Sequence, residues 1–208
     1  MKFFRLLHTG LEAVRGFYYS TRTDIYALLN AFSKVQPTKI VFNNFNGKGY
    51  GDNPKYIAAE ILKRNLSYDL VWIVNDDNIV LPKSIRKVKA GTFKCSYELS
   101  TAKVFINNVK NKLPFLKKKE QYYIQTWHGS FPLKFIEKEA ESLLPAQYIK
   151  QSMKDSSKTD VVLSGSSMLS EVIRNSFWFS GEIFNCGQPR DDIYFNSTPE
   201  EILASKGI

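Results

Sequence analysis

Cysteine is scarce: Cys95 and Cys186 are the only two in 208 residues, and no Cys-x-x-Cys spacing occurs. That excludes a cysteine-rich zinc site and a disulfide framework, and fits a reducing compartment. Each thiol is expected to pack as a small hydrophobe. Long apolar runs are also missing, so no membrane-spanning helix is expected. The N-terminal stretch has no continuous apolar core or small-residue cleavage site of the kind a secretory signal needs. Neither a Walker sequence, nor G-x-G-x-x-G, nor the G-x-S-x-G of a hydrolase elbow is present. No His/Cys/carboxylate cluster marks a metal site, Asp76-Asp77 alone being too little. Recognition-helix, RNA-recognition and zinc-finger patterns are absent, which disfavours nucleic acid as a partner. There is no internal repeat and no low-complexity tract.

What is present is an ordinary globular composition, 43% hydrophobic and 24% charged, with enough chain for a sizeable core. The net charge is +9, and its distribution is uneven. Residues 83–119 hold 11 basic side chains against Glu98 alone, whereas residues 120–208 hold 8 basic and 12 acidic ones. The excess reads as one patch, built on Lys83, Arg86, Lys87, Lys89, Lys117, Lys118 and Lys119. Either it is a solvated face or it attracts anionic lipid or polymer.

Residues 1–18 are amphipathic at helical period, with Phe3, Phe4, Leu7, Leu11, Val14 and Tyr18 on one side. A second helical stripe runs through Ile25, Leu28, Leu29 and Phe32, with Thr23 as its cap and Pro37 ending it. These helices either pack on their own domain or lie in a membrane interface. From Lys39 onward short strands alternate with helices. Strands are expected at 40–42, 70–74, 103–106, 121–127, 160–163 and 182–185. Helices are expected after Pro54, at 92–101, through the polar region 133–157 interrupted by Pro145, and at 168–175. That alternation predicts a parallel, doubly wound α/β sheet. Thr198-Pro199-Glu200-Glu201 is a capping box that opens a last short helix.

The chain is organised around residues 121–132, QYYIQTWHGSFP. The aromatic and β-branched run reads as a strand buried on both faces, and His128-Gly129 ends it at the edge where open α/β sheets bind ligands. Three further segments sit at strand ends. In residues 43–54, three glycines and Lys48 precede a helix that Asp52 or Asn53 could cap, an arrangement suited to an anion or to a plain surface loop. Ser164-Gly165-Ser166-Ser167 opens another helix, where a serine caps and the same amides suit a phosphate. In Gly187-Gln188-Pro189-Arg190-Asp191-Asp192, Arg190 either grips phosphate bidentately or pairs with Asp191 or Asp192. An imidazole titrates near neutral pH, which makes His128 the candidate general base.

Taken together, these blocks resemble the CDP-glycerol:poly(glycerophosphate) glycerophosphotransferase family of teichoic acid synthesis. The matching residues are Gly47-Lys48 through Asn53-Pro54-Lys55-Tyr56-Ile57, Val71-Trp72, Asn107-Asn108, Tyr123-Ile124-Gln125-Thr126-Trp127-His128-Gly129, the Ser164 to Ser167 turn and the Gly187 to Asp192 block. Gln-Thr-Trp-His-Gly is the most specific of them.

The resemblance implies one Rossmann-like parallel-sheet domain, the N-terminal half of a GT-B architecture. Residues 1–37 would be an amphipathic segment, 38–197 the acceptor-side domain, and 198–208 the start of a link to a donor domain. It also implies transfer of glycerol phosphate from CDP-glycerol to a hydroxyl of a lipid-linked polyol-phosphate acceptor, peripherally at the cytoplasmic face of a bacterial membrane. His128 would be catalytic, and Lys48, Asn53, Asn108, Gly129, Ser164, Ser166, Ser167, Arg190 and Asp192 would bind substrate or phosphate. CDP-glycerol would be a substrate, and no cofactor is identified. The chain by itself is expected not to turn over. Two alternatives stay open: a non-catalytic docking or acceptor-binding module, and a related polyol-phosphate or sugar transferase.

Overall fold

The structure, a computed structural model, describes residues 29–205 apart from Pro114 and Pro132. Seven strands run in chain order: β1 (Gln36–Asn43), β2 (Asp69–Val74), β3 (Ile85–Lys89), β4 (Ala102–Asn107), β5 (Tyr122–Gln125), β6 (Val161–Ser164) and β7 (Glu182–Asn185). They form one sheet in the order β3-β2-β1-β4-β5-β6-β7, and every adjacent pair is parallel. The longer helices are α1 (Asp52–Lys63), α2 (Phe93–Thr101), α3 (Ala146–Ser156) and α4 (Ser167–Ser176), with 3-10 segments at Glu137–Leu143 and Pro189–Asp191. The short α5 (Ile193–Asn196) and α6 (Pro199–Ser205) follow β7. The expected Rossmann-like α/β architecture is what forms.

The central strands are apolar on both faces because helices cover both. Successive residues of β2 divide between two clusters. Val71 and Ile73 join Val41, Val88, Leu99 and Phe105 on one face. Leu70, Trp72 and Val74 join Ile40, Phe42, Ala58 and Ile106 on the other. This is the two-residue period of a strand with each phase buried. α2 supplies Cys95 and Leu99 to the first cluster and α1 supplies Ala58 to the second. A third cluster forms around Trp127, Val162, Leu169, Ile173, Phe177 and Phe179, between β6 and α4.

Two polar seams run through this core. Lys39 of β1 pairs with Glu98 of α2 at 2.7 Å, both side chains being almost wholly buried, and Arg86 of β3 holds Glu98 at 2.7 Å and Asp69 at 2.6 Å. Burial works against the Glu98 carboxylate, yet Arg86 and Lys39 together keep it below the usual range. Under β5, the Tyr123 hydroxyl donates to Asp155 of α3 at 3.1 Å and accepts from Asn107 Nδ2 at 3.3 Å. Lys110 lies in the same seam, donating to Ser156 Oγ at 2.8 Å.

Several expectations need correction. Strand β3 is absent from the sequence reading: Ile-Arg-Lys-Val-Lys shows only Ile85 and Val88 inward, as suits a charged edge strand. Pro37 lies within β1, at its first residues, where a missing N–H is tolerated. The strand at β5 is only four residues long, and Tyr122 faces solvent. Neither Asp52 nor Asn53 caps α1; Gly51 occupies that position without a side-chain bond. Cys95 is buried, with its thiol pushed up to about 11 by desolvation, whereas Cys186 is exposed rather than packed in the core. The capping box forms: Thr198 N–H donates to Glu201 at 2.9 Å and Glu201 N–H donates to Thr198 Oγ1 at 3.3 Å. The amphipathic stretch 1–18 and most of the second helical stripe lie outside the described residues; within the stripe, residues 29–32 are helical.

Candidate active site

Because all seven strands run the same way, every strand-to-helix loop leaves from one edge of the sheet. β1 and β4 are neighbours whose onward chains depart in opposite directions, which opens a crevice between them. Lys48 follows β1, Asn107 ends β4 with Asn108 just after it, His128 follows β5, Ser166 follows β6 and Arg190 follows β7. His128, Lys48, Ser166 and Arg190 therefore rise from the same edge. The open hollow lined by Ser33, Lys34, Lys103, Lys118 and Glu120 sits at the opposite edge and holds none of them.

Each residue of the Gln-Thr-Trp-His run has a distinct task. Gln125 is buried and spans the turn: Nε2 donates to the Val109 carbonyl at 2.9 Å and Oε1 accepts from the Trp127 N–H at 3.0 Å. Thr126 N–H extends the ladder to the Asn107 carbonyl at 2.8 Å. Trp127 then takes a left-handed backbone, φ 53°, which a bulky L-residue enters only at a cost. Its indole packs edge-on against Phe177 with centroids 4.6 Å apart. That reversal delivers His128, half-buried, between Trp127 at 4.2 Å and Phe45 at 5.2 Å, centroid to centroid. A side chain at Gly129 would press on the Trp127 indole at 3.3 Å.

The imidazole is oriented by one strong contact. His128 Nδ1 lies 2.7 Å from the Asn108 carbonyl oxygen, and a carbonyl only accepts, so Nδ1 carries the proton. Nε2 therefore holds the lone pair, and no partner occupies it among the described residues. Asn108 is itself fixed on all sides: its Nδ2 donates to Asp52 at 2.5 Å and to Asn44 at 2.9 Å, while Oδ1 accepts from the Phe45 N–H at 2.8 Å. Arg190 adds a second tie, donating from one guanidinium nitrogen to Asp52 at 2.6 Å and to the His128 carbonyl at 2.7 Å.

Asn53, Asn108 and Ser164 are fully buried and their polar atoms serve the protein. Asn53 Nδ2 donates to the Trp127 carbonyl at 3.1 Å and to Gln188 at 2.6 Å, while its Oδ1 accepts from the Arg190 N–H at 3.2 Å. Ser164 donates to the Ser166 carbonyl at 2.8 Å. These three build the edge and present no free group to a substrate. Ser166 caps α4 by accepting from the Leu169 N–H at 3.1 Å, and Ser167 is exposed at the same helix start. Lys48 and Asp192 are exposed. Arg190 meets Asp191 only at 3.7 Å; its main partner is Asp52, 138 positions away, a pairing no local pattern reveals. Asp52, Asn44 and Gln188 are the residues that sequence reasoning missed here, Asp52 having been weighed only as a cap.

The basic residues do not form the expected single patch. Lys83, Arg86, Lys87 and Lys89 lie on or just before β3, and Lys117, Lys118 and Lys119 lie before β5, four strand spacings or about 19 Å across the sheet. Carboxylates from outside the 83–119 window neutralise several of them: Asp69 takes Arg86, Asp77 takes Lys89 at 2.9 Å, and Asp160 takes Lys117 at 2.9 Å. Lys87 donates to the Asp77 carbonyl at 2.6 Å and Lys118 to Ser33 Oγ at 3.0 Å. Lys83 and Lys119 remain exposed. Among the described residues no cluster of three or more His, Cys, Asp or Glu could hold a metal ion.

Comparison with known proteins agrees with this fold. Solved structures of the wall teichoic acid polymerase TagF superpose with a TM-score of 0.80 for a histidine-to-asparagine variant soaked with CDPG, at 29% identity over 94% of this chain and 52% of TagF. The teichoic acid poly(glycerol phosphate) polymerase of Staphylococcus epidermidis is 33% identical over 185 residues, 86% of this chain and 26% of the relative. The polymerase of the same description from Bacillus spizizenii is 28% identical over 203 residues, 91% of this chain and 51% of the relative. The chain thus spans about a quarter to a half of the curated relatives it matches. The family model for CDP-glycerol:poly(glycerophosphate) glycerophosphotransferases matches residues 25–208, and the chain belongs to that family.

Proposed function

We propose that the chain forms the acceptor side of a glycerophosphotransferase, with His128 as its general base. An acceptor hydroxyl oxygen attacks the glycerol-bearing phosphorus of CDP-glycerol and its proton passes to His128 Nε2. The phosphorus–oxygen bond to the leaving phosphate breaks, and CMP departs. The observation that carries this reading is the half-buried imidazole at the switch-point edge, its Nδ1–H held 2.7 Å from the Asn108 carbonyl so that Nε2 is left as the acceptor. A general base acts only when its lone pair is presented to the proton it takes. Lys48, the N-terminus of α4 at Ser166 and Ser167, and the Arg190 guanidinium, paired in part with Asp52, supply positive potential for the phosphates. In this reading the CDP moiety sits in a second, donor-binding half of GT-B type.

The same proposal has the domain working peripherally at the cytoplasmic face of a bacterial membrane. Among the described residues no helix is long and apolar enough to cross one. What supports membrane contact is the segment just past His128, where Phe131, Leu133 and Phe135 are 59%, 91% and 76% exposed, with Lys134 and Lys138 beside them also exposed. Burying such side chains in an interface is favourable, and the lysines suit anionic headgroups.

The function is tested with a chimera in which this chain replaces the span it matches in the Staphylococcus epidermidis polymerase. With CDP-glycerol and a glycerol-phosphate-primed lipid acceptor, the chimera is expected to release CMP in step with polymer growth. Release from CDP-ribitol instead would move the assignment to a related polyol-phosphate transferase, and a folded chimera inert with every donor would remove it.

A further inference from the structure

The contacts around His128 close on themselves. Asp52 Oδ2 accepts from Asn108 Nδ2 at 2.5 Å. The Asn108 carbonyl holds His128 Nδ1 at 2.7 Å, the His128 carbonyl accepts from Arg190 at 2.7 Å, and the same Arg190 nitrogen donates to Asp52 Oδ1 at 2.6 Å. One carboxylate, with one oxygen on each arm, thus ties together the start of α1, the end of β4, the loop after β5 and the turn after β7. Asp52 is only 7% exposed at its side chain, so water competes weakly for it. It also has a left-handed backbone, φ 52°, as does Trp127 on the other side of the imidazole at 53°. Non-glycine residues stay in that region only where their surroundings hold them there, and such positions gather at functional sites.

We propose that Asp52 is a positioning residue for His128: through Asn108 it fixes the Nδ1–H tautomer, and through Arg190 it balances the cation beside the imidazole. This rests on the reading of His128 as the base. The tautomer matters because free imidazole prefers its proton on Nε2, which would leave no lone pair facing the acceptor. The charge balance matters because an unpaired guanidinium next to the ring disfavours imidazolium and weakens the base. Among the described residues, the charged groups joined by ion pairs in this ring of contacts are Asp52 from α1, and Arg190 and Asp191 from the turn after β7.

Long-range proton–nitrogen NMR on the histidine-labelled full chain tests the idea without any assay of turnover, so its outcome is separate from that of the transferase reading. The wild-type chain is expected to show His128 in the Nδ1–H form. Asp52→Ala should shift it towards the Nε2–H form. Asp52→Asn keeps an acceptor for Asn108, so it should retain the tautomer while lowering the imidazole pKa. Val88→Ala, which loosens the core far from the site, should leave both readouts at wild-type values and so control for general destabilisation. An Nε2–H tautomer in the wild-type chain would overturn the proposal. So would wild-type tautomer and pKa in folded Asp52 variants, or equal shifts in Val88→Ala.

Discussion

At the scale of single residues, the site and the core solve the same problem in different ways. Around His128 the Asn108, Asp52 and Arg190 side chains share their hydrogen bonds, and the imidazole keeps Nε2 without a partner among the described residues. Beneath β5, Asp155 is buried against Tyr123 and its carboxyl is pushed up to about 6, chiefly by desolvation, with the Lys110 ammonium pulling the other way. The folded chain therefore binds this proton more tightly than the unfolded chain does, whose carboxyl titrates near its ordinary 3.8. Stability from this group is complete below the unfolded value and is lost as pH rises through about 6. Asp155→Asn mimics the protonated form at every pH. Relative to wild type it should gain about 1.4 kcal/mol between pH 5 and pH 8, one pKa unit's worth. Urea denaturation of both proteins at the two pH values measures this, and a pH-independent difference would mean that Asp155 does not titrate in that window. From the sequence, the Gln125 to Gly129 block was legible as the centre of the chain because a buried strand run ending in His-Gly is a local pattern. The ties that orient His128 were not, because Asp52–Arg190 and Asn53–Gln188 join residues more than 130 positions apart.

At the scale of elements, periodicity revealed most strands and helices, and it failed where charge hides a strand. β3 presents Arg86, Lys87 and Lys89 outward, and only its position beside β2 explains the inward Ile85 and Val88. Counting charge along the chain likewise suggested one basic surface, whereas folding brings Asp69, Asp77 and Asp160 onto it. Membrane contact is thus better sought in the segment containing Phe131, Leu133 and Phe135 than in the lysines at 117–119. Sedimentation with phosphatidylglycerol vesicles should show binding that falls tenfold or more in Leu133→Asp/Phe135→Asp, because each side chain withdrawn from water contributes roughly 1.5–3 kcal/mol. Lys117→Gln/Lys119→Gln should bind almost as wild type. The reverse ranking would return the role to the basic residues.

At the scale of the whole molecule, a parallel sheet places the strand-to-helix loops on one edge, and this lets segments as distant as those of Asp52 and Arg190 meet there. The alternation of strands and helices made that arrangement readable, and the order of the strands located the crevice between β1 and β4. The central claim is narrower than the fold: His128 accepts the acceptor's proton. Single-turnover CMP release from the chimera, wild type against His128→Ala, tests it most directly. The account predicts a fall of about 100-fold or more, the scale of general base catalysis, with an unchanged melting profile. CMP release within a few-fold of wild type from the folded variant would contradict it.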